Sequence, residues 1–265
     1  MIDWTPPSLY TRHVLLFGRR AFLRSLREPG LLVPAIILPI FFLAFSANQL
    51  SDVVRLPGFP THNVIAFVMP IALLPGGIFT FISAGSGIAY DLQSGAFRRL
   101  ALSPTSRRAL VTGAVLGPAA AGLFTEAIAL IAAFLAGGRP HSGLVTYAGL
   151  LALLALVNTG FSGLGVSAAL LTGSAGAISS LVPFIFALLG LSTLNLPFHF
   201  IFTTWFRDVA EINPVSYLVN ATRTLYIGRG TVVHTVLVGA AIGVGFTIAT
   251  FSTAVACMRV RVAHD

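Results

Sequence analysis

Lysine is absent from all 265 positions, and every one of the 16 basic residues is arginine. A P-loop phosphate site needs a lysine to reach the β- and γ-phosphates, so the chain holds no such ATP site. Cysteine occurs once, at Cys257. That excludes an intramolecular disulfide and a cysteine-based metal cluster, and a packed thiol is the expected state. The histidines are scattered. His62, His141, His199 and His234 fall in predicted outer loops without an i, i+3 or i, i+4 pair, so a metal site is not indicated. No Ser/His/Asp spacing, HExxH run or glycine-rich phosphate loop appears, which leaves no basis for catalysis. Charge is scarce as well: Asp, Glu and Arg together make up 9% of the residues.

Apolar residues fill the space, at 56% of the chain. Several runs reach the ~20 residues that cross a bilayer. The expected fold is therefore an all-α integral membrane protein with six transmembrane helices, at 31–50, 64–90, 109–136, 144–171, 177–196 and 232–258. The spans form a single domain over residues 1–265. Pro70, Pro75, Gly76 and Gly77 predict a kink or unwound stretch inside the second span. Ahead of the first span, 1–30 reads as an amphipathic interface helix over 8–28. Leu15, Phe22 and Leu26 share one face and Arg20, Arg24 and Arg27 another, a pattern suited to lying on anionic lipid. Glu28-Pro29-Gly30 ends it.

The net charge of +8 raises the question of nucleic acid. The arginines are divided among loops, however, which marks orientation and not a nucleic-acid stripe. Arg12, Arg19, Arg20, Arg24 and Arg27 precede the first span, Arg98, Arg99, Arg107 and Arg108 follow the second, and Arg259 and Arg261 follow the sixth. They outnumber the arginines of the opposite loops, so both termini and the 91–108 loop are expected in the cytoplasm. No internal repeat supports an inverted-repeat transporter plan.

Glu126 is the only acid or arginine inside a predicted span. Such a carboxyl costs several kcal/mol unless it faces protein, water or a partner. Two readings stand: a carboxylate on a substrate path, or a structural group hydrogen-bonded to Asn158 or a threonine. Gly113-x-x-x-Gly117 and Gly239-x-x-x-Gly243 place glycines on one helix face, for helix packing or for a subunit interface. The segment 197–231 carries Phe198, Phe200, Phe202, Trp205 and Phe206, suited to an interfacial aromatic belt. Asn213-Pro214 there is a helix start, an N-cap followed by proline at the first helical position. The helix it opens is too short to span, and either dips into the outer leaflet and returns or lies on the surface.

Three stretches resemble the membrane subunit of type-2 ATP-binding-cassette exporters, and within them the daunorubicin-resistance permease group. One is the surface helix. The second is the polar loop, where Asp91, Gly95, Leu100 and Pro104 match a D…G…L…P pattern; Gln93 stands where the family often has an acid. The third is Trp205…Asn213-Pro214…Ala221-Thr222-Arg223, similar to a W…NP…A-x-R segment, with Glu211 between its aromatic and its Asn-Pro. The resemblance implies a bacterial plasma-membrane permease that exports a drug-like amphipathic compound or a lipid and serves multidrug or antibiotic resistance. It implies a separate cytoplasmic ATPase that holds ATP and Mg, with Asp91, Gln93, Gly95, Arg98, Arg99, Leu100 and Pro104 in a coupling helix against it. It also implies a second permease chain, identical or related, surrounding membrane lipid, and Glu126 and Asn158 lining or bracing the cargo route. The competing readings are a stand-alone ion-coupled transporter or channel that uses Glu126, and an intramembrane enzyme.

Overall fold

The computed structural model describes residues 7–55, 61, 63–97, 99, 106–195, 201–228 and 232–264. These residues form ten α-helices, with no strand among them. In chain order the helices are α1 (Pro7–Arg27), α2 (Pro29–Gln49), α3 (Val64–Leu73), α4 (Gly76–Gln93), α5 (Arg107–Leu135), α6 (Leu144–Thr172), α7 (Ala175–Gly190), α8 (Thr204–Ile212), α9 (Pro214–Ile227) and α10 (Val232–His264).

Local chemistry sets the boundaries. Glu28 is extended, with φ −101° and ψ 91°, because a residue before proline is pushed out of the α region. Pro29 then opens α2, having no N–H to leave unsatisfied there. Ser106 and Ser174 accept from the amides of Ala109 and Ala177 and cap α5 and α7. Gly173, at φ +67°, ends α6 in the left-handed region that suits glycine. The expected break in the second span lies at Leu74–Pro75. Pro75 supplies no N–H, and the amides of Gly77 and Ile78 turn back to the carbonyls of Leu74 and Pro75 at 3.2 and 3.0 Å.

Five stretches are long and apolar enough to cross a membrane: Pro29–Gln49, Val64–Gln93, Arg107–Leu135, Leu144–Thr172 and Val232–Arg261. They correspond to the first four expected spans and the sixth. Over the expected fifth span, 177–196, the structure has a shorter apolar helix, Ala175–Gly190. α7 has 16 residues, about 24 Å of helix against an apolar layer of ~30 Å. It stops at Gly190, and the turn beyond it is held by side chains from α9.

α6 lies at the centre, with α4 on one flank and α10 on another; α5 also touches both α4 and α6. α2 covers α3 and α5, α7 covers α4, and α9 packs on α10 and α3. α1 departs from the flat surface helix that its pattern suggests. It packs along the first turns of α5 and leaves Leu15 and Leu16 exposed. Gly113 and Gly117 make this approach possible: a Cβ on either would lie 2.5 Å from Phe17 or Gly18 of α1. Gly239 meets Ala221 and Tyr217 of α9, while Gly160 and Gly163 receive Phe246 and Thr250 of α10. The glycine faces therefore serve helix packing inside one chain.

Candidate functional site

The polar loop begins at the end of α4, and its first residue is tied to α1. Asp91 is 8% exposed. Its Oδ1 accepts from Arg20 Nη2 at 2.8 Å and from Arg24 Nη1 at 3.3 Å. Arg24 Nη1 also donates to the Gly87 carbonyl at 2.8 Å, and its guanidinium lies 5.3 Å from the centre of the Tyr90 ring. Arg20 and Arg24, which helical spacing places on one face of α1, turn to Asp91. Ser25 and Ser83 add a hydroxyl pair at 2.7 Å one turn further along. Gln93 reaches across to donate to the Gly173 carbonyl at 3.2 Å, joining the loop to the α6–α7 turn. Gly95 takes φ +70°, which lets the chain leave α4 sharply.

Phe97, two residues on, is 3% exposed and belongs to the hydrophobic core. Charge-based reading overlooked it, although it is the one aromatic in a polar stretch. Arg99 is exposed. Arg98, Leu100 and Pro104 lie outside the described residues.

A second cluster occupies the centre of the bundle. Glu126 is 1% exposed and Asn158 is fully buried. Asn158 Nδ2 donates to Glu126 Oε2 at 2.8 Å, and Asn158 Oδ1 accepts from Thr80 at 3.2 Å. Three spans are thereby joined by neutral and acidic groups, with no basic partner in the cluster among the described residues. Glu126 Oε1 has no hydrogen-bond partner among the described residues. It faces Gly76, the first residue after the α3–α4 break; a Cβ there would lie 2.6 Å from it. Gly122 leaves similar room beside Thr80 and Asn158. The structure thus brings Glu126 and Asn158 together, and adds Thr80 and Gly76.

The Asn213-Pro214 segment forms a staple at the other end. Asn213 Oδ1 caps α9 by accepting from Val215 N at 2.9 Å. Its Nδ2 donates to the carbonyls of Leu188 and Leu191 at 2.7 and 3.0 Å, closing the free end of α7. Arg223 Nη2 donates to the carbonyls of Thr193 and Leu194 at 3.1 and 2.9 Å, and its guanidinium lies 4.4 Å from the centre of the Phe67 ring. Burial lowers the Arg223 pKa to about 9, which still leaves a cation at neutral pH. α9 has Val215, Leu218, Val219, Ala221, Thr222, Arg223 and Tyr226 buried. The surface-helix reading is therefore corrected: α9 is built into the bundle, against α10 and α3. Trp205 is exposed and meets Phe206 edge-on. Glu211 pairs with Arg207 at 3.1 Å in the open, an interaction worth at most about 1 kcal/mol. Phe198 and Phe200 lie outside the described residues.

No curated protein matches the chain. The model of one family, described as ABC-2 type transporter, matches residues 12–227. The match runs from α1 to the last turn of α9, through the Asp91 tie, the Glu126 cluster and the Asn213 staple. The chain belongs to the ABC-2 type transporter family.

Proposed function

We propose that residues 91–108 seat against a separate cytoplasmic ATPase, and that ATP-driven motion there moves an amphipathic cargo, drug-like or lipid, out of a bacterial cell. Family membership makes the chain a multi-pass membrane component of an ABC-type exporter, with ATP hydrolysis assigned to a separate subunit. The finer reading rests on one observation: Asp91, the first residue of the loop, is held by Arg20 and Arg24 of α1. A push on the loop is thereby delivered to α4 and to α1 together, and through α1 to α5. In this scheme both termini are cytoplasmic, ATP and Mg stay on the ATPase, and a second permease chain completes the exporter. Glu126 and Asn158 brace the spans beside the cargo route, instead of serving an ion-coupled transporter that works alone.

The test is a double charge reversal, Arg98→Glu with Arg99→Glu, in the chain co-expressed with the ATPase from its own cell. The expected result is loss of ATPase copurification and of ATP-driven efflux from vesicles, with normal amounts of folded chain in the membrane. Retained association and efflux would show that the loop is not the coupling element.

A further inference from the structure

Ala210 is the one buried residue of α8. With about 100° between successive side chains, the helix divides into three sectors. Ala210 and half-buried Phe206 face the protein. Arg207, Asp208 and Glu211 form a polar sector, where Arg207 Nε donates to Glu211 Oε1 at 3.1 Å. Trp205, Val209 and Ile212 form the third, and all three are exposed, Ile212 to 83%. Phe202, just ahead of the helix, is 89% exposed. The sectors lie roughly 120° apart, so α8 has one side for protein, one for water and an apolar side without a partner among the described residues.

The depth of that apolar side follows from α7. The turn before α7 lies at the end of the spans that holds Asp91: the Gly173 carbonyl accepts from Gln93, and a Cβ on Gly173 would lie 3.4 Å from Arg261 Nη2. The 16 residues of α7 rise about 24 Å from there, and tilt only lowers that rise. Asn213, which ends α8, bonds the carbonyls of Leu188 and Leu191 at the far end of α7. α8 therefore ends about 6 Å short of the far rim of a ~30 Å apolar layer. A helix lying in the interface sinks its apolar face by about 5–10 Å, the same depth. A water-soluble partner does not reach that level. Charge gives no headgroup preference, because α8 carries one arginine against two acids and its apolar side carries none.

We propose that α8 lies half-sunk in the leaflet remote from Asp91, with Trp205, Val209 and Ile212 among the first carbons of the acyl chains whatever the headgroup charge. Asn213 ends α8 and also closes α7, so this anchor ties the end of α7 to the surface of that leaflet. The inference rests on the long helices being membrane spans. It is independent of the ATPase contact and of the cargo, so its failure and theirs are separable.

In a Trp4→Phe background, Trp205 is the sole tryptophan of the chain. The purified chain is placed in phosphatidylcholine nanodiscs whose acyl chains carry bromine near the glycerol or near the methyl end. Bromine near the glycerol should quench Trp205 fluorescence about twice as strongly as bromine near the methyl end, and iodide in the water should quench it weakly, as for a ring sunk ~5–10 Å. Phosphatidylglycerol in place of phosphatidylcholine should change neither result. Val209→Asp, or the milder Ile212→Gln if the first does not fold, should about double the quenching by iodide by lifting the apolar side out of the lipid. Asp208→Asn, on the water side, should not. Quenching by iodide without quenching by bromolipid would put Trp205 in water, and quenching by neither would put it against protein. Stronger quenching from the methyl end would put it deep in the bilayer, and dependence on phosphatidylglycerol would give charge the control. Each of these four results would overturn the proposal.

Discussion

At the scale of single residues, Asn158 is the pivot of the buried cluster, since it donates to Glu126 and accepts from Thr80. Asn158→Leu removes both bonds and leaves polar atoms buried, so we expect a loss of about 1–3 kcal/mol. Glu126→Gln keeps an acceptor for Asn158 and is expected to cost less than about 1 kcal/mol. Unfolding midpoints in detergent measure both, and equal losses would contradict the assignment. Glu126 was legible in the sequence because a lone acid stands out in an apolar run, and Asn158 because it lies mid-span. Thr80 and Gly76 were not legible. Their approach depends on how α4 is rotated after the Leu74–Pro75 break, which no local pattern encodes.

Among the helices, α1 and α5 test whether the glycine face holds the N-terminal helix in place. Gly117→Leu would drive a side chain into Gly18, Ala21 and Phe22. In a Cys257→Ser background, a Ser25→Cys, Ser83→Cys pair should cross-link readily, given hydroxyls 2.7 Å apart. Adding Gly117→Leu should slow that cross-link severalfold, whereas adding Ala120→Leu should not; equal rates would place α1 elsewhere. The sequence made the end of α1 readable, because Glu28-Pro29-Gly30 is a local signal. The destination of α1 was hidden. Amphipathic spacing separates Leu15 from Arg20 but does not say which face meets protein. For the same reason the sequence does not choose between the two readings of α9: Asn213-Pro214 announces its start, while the carbonyls met by Asn213 and Arg223, at Leu188, Thr193 and Leu194, lie on another element.

Across the whole molecule, helix direction sorts the arginines. Those of α1, with Arg99, Arg107, Arg108, Arg259 and Arg261, gather where Asp91 and Gly173 lie; Arg55, Arg139, Arg207 and Arg223 gather at the opposite end. Single cysteines at Ser94 and Ser142, both exposed, should therefore react with a membrane-impermeant thiol reagent from opposite sides. Labelling of both from one side would undo the span assignment. The end of α7 at Gly190 is hidden in the sequence because hydropathy runs smoothly through it, while Asn213 and Arg223 meet the carbonyls at and beyond that end. One lasting effect follows from the glycines of α5. Gly113, Gly117 and Gly122 are already filled from within, so a neighbour in the bilayer meets Leu116, Phe124 and Ile131 on the exposed side of that helix. Backbone-to-backbone contact at those glycines is closed to it, and docking there must proceed by interdigitating side chains, a looser and more adjustable fit.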